Sequence, residues 1–269
     1  MVAPNVVHVT GAASGIGRCV AELFAARGAD VVLFDRHPCH AALEAVSRAR
    51  RSSAQRVDAQ LLDVTDARHT SSALRAASER LGRPAVVFHA AGIGGYSRRF
   101  DEFAPERFAE LVAVNLLGSA NVAAAALPLL PRGGTLALVA SLAGLVPAFG
   151  QAGYAASKHG VVGLAGVLRV ESAPRGIRVC AVCPPEVDTE MARDDAATRP
   201  PETTAMKLFA GSLPLDTACR EIVAGVLHGR FLVIPGRRAR ATWALQKLLP
   251  RAVTDRIADR LVARVQRPC

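Results

Sequence analysis

The residues best placed to do chemistry lie in the run Gly153-Tyr154-Ala155-Ala156-Ser157-Lys158. The surrounding pattern is helical, so Tyr154 and Lys158, at i and i+4, share one face. A free phenol has a pKa of about 10 and is a poor base at neutral pH, but an ammonium beside it favours the phenolate. Proton transfer to or from an alcohol or carbonyl oxygen is the chemistry such a pair can perform. The chain has only 2 tyrosines, which makes the placement of one beside a lysine more informative. Ser141 follows the strand candidate Thr135 to Ala140, at the carboxyl end where open α/β sheets bind ligands. Asn115 falls within the apolar helix candidate Pro105 to Leu130, where propensity disfavours asparagine and a specific partner is expected.

A second constellation suits a dinucleotide. After the strand candidate Val6 to Val9 comes Thr10-Gly11-Ala12-Ala13-Ser14-Gly15-Ile16-Gly17, a glycine-rich turn opening a helix. Such a turn lets a pyrophosphate approach main-chain N–H groups where a Cβ would hold it off. Asp35 ends the second strand near the spacing at which an acid reaches the adenosine ribose hydroxyls. Its carboxylate would repel a 2′-phosphate, which favours NAD over NADP; Arg36 beside it is the competing signal, since a guanidinium pairs with phosphate. Asp63, in Leu-Leu-Asp-Val after the third strand, can accept a hydrogen bond from an adenine amine, while Asp66 is the expected cap of the following helix.

The Thr10 to Gly17 turn, Asp63, Asn115, Ser141, the Tyr154/Lys158 pair and the segment Pro184 to Thr189 together resemble the classical short-chain dehydrogenase/reductases, over about residues 5 to 236. The resemblance implies that Tyr154 is the general acid or base and that Lys158 lowers its pKa and holds the nicotinamide ribose. Ser141 would hold the reacting oxygen, and Asn115 would tie a water into the proton relay. Cofactor contacts are implied at Gly11, Ser14, Gly15, Ile16, Gly17, Asp35, Arg36, Asp63, Val64, Ala91, Gly92, Tyr154, Lys158, Pro184, Val187 and Thr189, and no metal is implied. Two departures stand out: Pro185 replaces the family's usual glycine, removing an N–H and fixing φ, and His89-Ala90 replaces the two asparagines that usually precede Ala-Gly. His89 reads as a structural residue. A nicotinamide-binding sensor or scaffold without turnover is the alternative, against which stand all four of Ser141, Tyr154, Lys158 and Asn115.

These residues need a scaffold, and the chain supplies an alternation of short β-branched runs and longer helical patterns. Strand candidates continue at Val31 to Phe34, Gln60 to Leu62, Ala85 to His89, Ile177 to Cys183 and Phe231 to Ile234. The fold class implied is α/β, a single-domain, doubly wound parallel sheet of about seven strands, Rossmann-like. The catalytic domain would span 1–236, with a loop or small helical lid at about 191–214. Hydrophobic residues make up 51% and charged residues 21% of the 269, enough apolar surface for a large core and unlike a disordered chain. The uncharged stretches Leu111 to Pro131 and Gly133 to Ser157 are interrupted by Pro, Gly and Asn and read as buried elements, not membrane spans. The six cysteines lack the spacing of a disulfide framework, and Cys180 and Cys183 should point to opposite faces of one strand. With no basic, apolar leader pattern at the N-terminus, a reducing cytoplasmic setting is expected.

Net charge is +10, and residues 237–269 carry nine Arg or Lys against two Asp, hence +7. Within them Val253, Ile257, Leu261 and Val265 repeat every four residues, with Arg256, Arg260 and Arg264 on a neighbouring face. This basic amphipathic tail is expected to dock on the domain or on a second subunit, with peripheral contact to an anionic membrane as the other use. Nucleic-acid binding is not expected, because no aromatic residues interleave the arginines. The expected substrate is a hydrophobic secondary alcohol or ketone of steroid, polyketide or fatty-acyl type, walled by Leu142, Leu145, Val146, Phe149, Tyr96, Met191, Met206 and Phe209. A homodimer or homotetramer is the expected assembly.

Overall fold

The computed structural model describes residues 5–95 and 97–266; Tyr96, one of the expected pocket walls, lies outside them. Seven parallel strands form one sheet, in the order β3-β2-β1-β4-β5-β6-β9. They are β1 (Val6–Thr10), β2 (Asp30–Asp35), β3 (Val57–Leu61), β4 (Val86–His89), β5 (Thr135–Val139), β6 (Arg178–Val182) and β9 (Leu232–Val233). Two short strands, β7 (Glu186–Val187) and β8 (Ser212–Leu213), pair in parallel outside the sheet. The strands β1, β4 and β5 are buried throughout. They read as continuous apolar runs because helices cover both faces.

On one face pack α1 (Gly15–Ala25), α2 (His40–Arg48) and α9 (Leu215–Leu227), through Phe24, Val46 and Ile222. On the other pack α3 (Ala67–Leu81), α5 (Gly118–Ala126) and α6 (Ala152–Ser172), through Leu74, Val122 and Val161. Cys180 belongs to the first layer and Cys183 to the second, so the two do point apart across β6. Asp66 caps α3 by accepting from His69 N at 2.9 Å.

Two local expectations need correction. The third strand begins earlier than Gln60, because Val57 pairs with Val31 of β2. Polar residues obscured it: Arg56 and Asp58, on this sheet edge, are satisfied by ion pairs to Asp30 and Arg80. The helix expected over Pro105 to Leu130 is α4 (Pro105–Leu111), then a π-helical turn (Val112–Leu117), then α5. The stretch Pro105–Ala126 is long and apolar enough to cross a membrane by composition, yet Leu111, Val122, Ala123 and Ala126 are buried against the domain. Of the two readings of 191–214, a loop or a small helical lid, the structure has the helical one, comprising α7 (Glu190–Thr198) and α8 (Pro201–Ala210), followed by β8. Beyond β9, α10 (Arg237–Leu248) and α11 (Arg251–Gln266) form the basic extension. They lie on α8: Arg238 donates to Leu208 O at 2.9 Å and Gln266 to Glu202 Oε1 at 3.0 Å, which sets α11 antiparallel to α8.

Two buried histidines hold opposite positions in the energetics. His89 ends β4 with both ring nitrogens bonded, to Thr10 Oγ1 at 2.7 Å and Ser119 Oγ at 3.0 Å. Because Ser119 spends its hydroxyl proton on Asn115 O at 2.5 Å, it must accept from His89 Nε2–H, and Nδ1 then accepts from Thr10. His89 thereby ties β1, β4 and α5 together where the family carries asparagine. His8, in mid-β1, has neither nitrogen bonded and packs edge-on to Phe34 at 5.6 Å between ring centroids. Burial lowers His8 to about 4 and, with a contribution from the Lys158 charge, His89 to about 3. Both are neutral when folded and bind a proton when unfolded, so folding stability is full above about 6.5 and falls as pH drops toward 4 and then 3. At about 1.4 kcal/mol per pKa unit, His8 alone removes about 3 kcal/mol over that window. We expect His8→Leu to raise stability at neutral pH and flatten the acid limb. His89→Leu, which leaves the buried Thr10 hydroxyl without its acceptor and breaks the link to Ser119, should cost about 1–3 kcal/mol. Chemical denaturation of both variants at pH 7 and pH 5 checks the opposite signs.

Candidate active site

The strand order reverses between β1 and β4, so the chains leaving these two strands diverge and open a crevice at the carboxyl end of the sheet. The turn after β1 is locked there. Gly11 has φ +66°, and a Cβ on it would lie 2.4 Å from Ala91 N; a Cβ on Gly17 would lie 2.0 Å from Gly11 O. Both positions therefore admit only glycine, for packing reasons inside the protein. Gly15, by contrast, faces open space except for Thr189 Cγ2, which a Cβ would meet at 3.5 Å.

The start of α1 is suited to an anion. Ser14 occupies the N-cap position without making a side-chain cap, and no acidic residue stands in the first turn, so the terminal N–H groups and the positive end of the helix dipole are left for a ligand. Asp35 sits beside this turn, accepting from Ala13 N at 3.0 Å and His37 N at 2.9 Å, which fixes its carboxylate at the rim. Arg36 donates to His37 Nε2 at 3.0 Å, and its charge also acts on Asp63. Asp63 accepts from Thr65 N at 2.9 Å and Thr65 Oγ1 at 2.7 Å; these bonds hold its carboxyl below the usual range. The neighbouring Val64 is buried and accepts at its carbonyl from Asn121 at 2.9 Å. Across the crevice, Pro184 O accepts from Leu142 N at 2.8 Å, Val187 is buried in β7, and Thr189 caps α7. The expected pyrophosphate, ribose and adenine contacts thus converge on one crevice, and its donors fit a dinucleotide.

Ser141, leaving β5, lines a cleft, and Tyr154, in the first turn of α6, stands close enough for the Ser141 hydroxyl to act on its phenol. Burial pushes the Tyr154 phenol above its ordinary value, and the Ser141 hydroxyl works against that shift. Lys158 is buried; desolvation lowers it to about 8. Its Nζ donates to Val139 O at 2.9 Å and lies 5.7 Å from the Tyr154 ring centroid. The expected lowering of the tyrosine by the lysine is not what the site shows: burial raises the phenol, and the Ser141 hydroxyl is the group that opposes it. Gly92 runs past this group, since a Cβ on it would approach Asn115 Oδ1 to 3.0 Å and Lys158 Nζ to 3.3 Å.

Asn115 does find the partners its position demanded. Oδ1 accepts from Ile93 N at 2.8 Å, and Nδ2 donates to Ile93 O at 3.0 Å and Ser157 Oγ at 3.1 Å. Ser157 donates in turn to Tyr154 O at 2.8 Å. The side-chain amide is therefore committed to holding the loop after β4 against α6. Ser157 and Ile93 escaped the sequence reading; Ser157, at i+3 from Tyr154 and i−1 from Lys158, carried the one signal that pointed to it.

A buried ion cluster fastens the lid, also unforeseen. Asp195 accepts from Ser97 Oγ at 2.7 Å and pairs with Lys207 at 2.6 Å, while Lys207 reaches Glu186 at 3.1 Å and Arg199 pairs with both acids. Burial alone would raise both carboxyls, but the hydrogen bonds and charges of Arg199 and Lys207 prevail and hold them below the usual range. Of the expected pocket walls, Leu142, Val146, Met206 and Phe209 line the cleft above Ser141, together with Pro185. Leu145 packs on the core instead, Phe149 N is bonded to Met206 Sδ, and Gly94 lies between Met191 and the Tyr154 ring.

The short chain dehydrogenase family matches residues 5–200. A 3-dehydrosphinganine reductase from Danio rerio is 30% identical over 230 residues, covering 84% of this chain and 69% of that protein. The crystal structure of levodione reductase superposes with a TM-score of 0.79 at 28% identity, over 88% of this chain and 98% of that one. A short chain dehydrogenase from Mycobacterium paratuberculosis, solved bound to NAD, superposes with a TM-score of 0.75 at 25% identity, over 86% and 94%. With the crevice, the glycine turn and the Ser141, Tyr154 and Lys158 group in their respective places, the chain belongs to the short-chain dehydrogenase family of oxidoreductases.

Proposed function

We propose that this protein interconverts a secondary alcohol and a ketone on a hydrophobic substrate, using NAD in preference to NADP. The observation that carries the reading is Ser141 in the lining of a largely apolar cleft, with the Tyr154 phenol close to it and Lys158 buried nearby. When bound, NAD supplies the hydride acceptor or donor. The catalytic unit would be 1–236, with 191–214 as its lid and 237–269 as its tail.

Tyr154 acts as the proton donor in ketone reduction: its raised pKa keeps it a neutral phenol, ready to give its proton to the oxygen held by Ser141. The phenolate formed is stabilised by the Lys158 ammonium, which its pKa of about 8 keeps largely protonated at neutral pH. In the opposite direction the same phenolate accepts the alcohol proton. Lys158 would also hold a ribose hydroxyl of the cofactor, and Asn115, bonded to Ile93, would fix the loop that carries Ala91 and Gly92 beside it. The α1 N-terminus, with Gly11, Ser14, Gly15, Ile16 and Gly17, would cradle the pyrophosphate. Asp35 takes the adenosine ribose hydroxyls and rejects a 2′-phosphate, while Asp63 and Val64 border the adenine and Pro184, Val187 and Thr189 the nicotinamide. Support for the cofactor comes from the uncapped helix end and from the NAD-bound relative; support for the substrate class comes from the cleft walls and from relatives named as ketone reductases.

Self-association is supported by Leu117, Val167 and Val170, which are 54%, 57% and 62% exposed on the faces of the π turn and α6. A cytoplasmic enzyme with peripheral membrane contact is supported by the arginines of α11, none of which is buried. Titration with NADH and NADPH should show NADH binding at least about tenfold tighter, and Tyr154→Phe should lower turnover of hydrophobic ketones by about 10²–10⁴-fold; activity surviving that substitution overturns the mechanism. As a homodimer or homotetramer, the protein should give by light scattering a mass two or four times 28.2 kDa, and a mass of one chain overturns self-association. With anionic liposomes, the protein should sediment, and the triple change Arg256→Glu, Arg260→Glu and Arg264→Glu should leave it in the supernatant; equal sedimentation of both sinks the membrane contact.

A further inference from the structure

The cleft that starts at Ser141 does not end at the lid. Its inner walls come from the chain after β5 and from α8, but its outer wall is the basic extension. Leu245 and Leu249, in and just after α10, and Ile257 and Leu261 on α11 face Met206 and Phe209 across it. The two ends are one continuous space of about 150 Å³. This follows from how the extension is attached: it is pinned to α8 at either end by Arg238 and Gln266, so the helices bridge over the groove without filling it.

Three properties specify what fits. First, α11 has an apolar stripe yet buries no residue completely, and Ile257 remains 39% exposed. An amphipathic helix normally covers its apolar face with core; this one presents it to the cleft. Second, the charged groups bordering the space are already matched, Lys207 with Glu186 at 3.1 Å and Asp255 with Arg251 at 3.5 Å, so the outer cleft offers no unpaired charge to a polar ligand. Third, the space is small against the roughly 300–1,000 Å³ typical of pockets for drug-sized ligands. A slender, flexible chain fits such a groove; a rigid multi-ring body does not.

We propose that the groove between α8 and the α10–α11 extension is a binding site for an unbranched alkyl chain of the substrate, running outward from the carbon that reacts at Ser141 and Tyr154. The proposal rests on the ketone-reduction reading and narrows its substrate class to long-chain acyl or alkyl ketones. The extension is then a specificity element of the enzyme, and Ala258, the smallest cleft-facing residue of α11, sets how much chain is admitted.

The test uses Ala258→Trp and Leu261→Asp in the full-length protein. The first fills the groove and the second charges its wall, and neither residue touches the proposed catalytic or cofactor groups. Binding of a dansyl-labelled undecanoic acid is followed by fluorescence without cofactor, and turnover is compared for a four-carbon and a fourteen-carbon 3-oxoacyl methyl ester with NADH. Both variants should weaken probe binding, and raise KM for the long ester, by at least about tenfold. KM for the short ester and the affinity for NADH should stay unchanged, the latter also reporting an intact fold. Wild-type-like probe binding in both variants, or an equal loss on short and long esters, overturns the proposal. Probe binding that is lost in the variants while wild-type protein reduces neither ester leaves the groove assigned and removes the ketone-reduction reading, so the two failures are separable.

Discussion

The site hangs on one contact between two chain segments far apart in sequence. The turn after β1 and the chain leaving β4 approach so closely that a Cβ at Gly11 would sit 2.4 Å from Ala91 N. That proximity brings the α1 N-terminus, which presents its N–H groups to a ligand, next to the loop carrying Gly92 and Ile93. From this loop Asn115 and Ser157 carry the alignment into α6, where Tyr154 and Lys158 stand. His89 secures the same junction from beneath, joining Thr10 to Ser119. Displacing any one of these groups would move the cofactor turn relative to the proton-transfer group, and a misplacement of about 1 Å is enough to cost two orders of magnitude in rate.

Burial has opposite consequences at neighbouring positions. Desolvation disfavours charge at Tyr154 and at Lys158 alike, making one a stubborn phenol and the other a readily deprotonated amine. The two groups, which titrate close together as free side chains, are thereby driven apart, the phenol upward and the amine downward. The same desolvation at His8 achieves nothing chemical, because no partner stands within reach of either nitrogen. At His89 it preserves the neutral ring on which the directed chain of hydrogen bonds depends.

Much of this arrangement was legible in the chain itself. Alternating β-branched and helical runs fix a parallel sheet, and that sheet has its crevice where strand order reverses, so the glycine turn, Asp35, Ser141 and the Tyr154/Lys158 pair could be assigned to one region. Local periodicity carried those assignments. It failed at β3, where edge residues use ion pairs in place of apolar contacts, and at the π turn, whose extra residue no propensity scale marks. It left open what depends on interactions that span the chain: the lid read as a loop or a small helical element, because Ser97, Asp195, Lys207 and Glu186 stabilise it only once brought together. The basic extension could be identified as amphipathic, but the object its apolar face meets is set by α8.

The shallow seating of α11 has a consequence for how this enzyme can change. A core helix such as α1 or α6 carries substitutions at a cost of several kcal/mol when a large side chain is lost. A helix that buries no residue completely carries them at little cost to folding. Substrate preference and fold integrity are therefore encoded in separable stretches of the chain. New wall residues can be tried on α11 while the sheet, the cofactor crevice and the Tyr154 group keep their sequence, and drift in the extension becomes the inexpensive route to a new substrate.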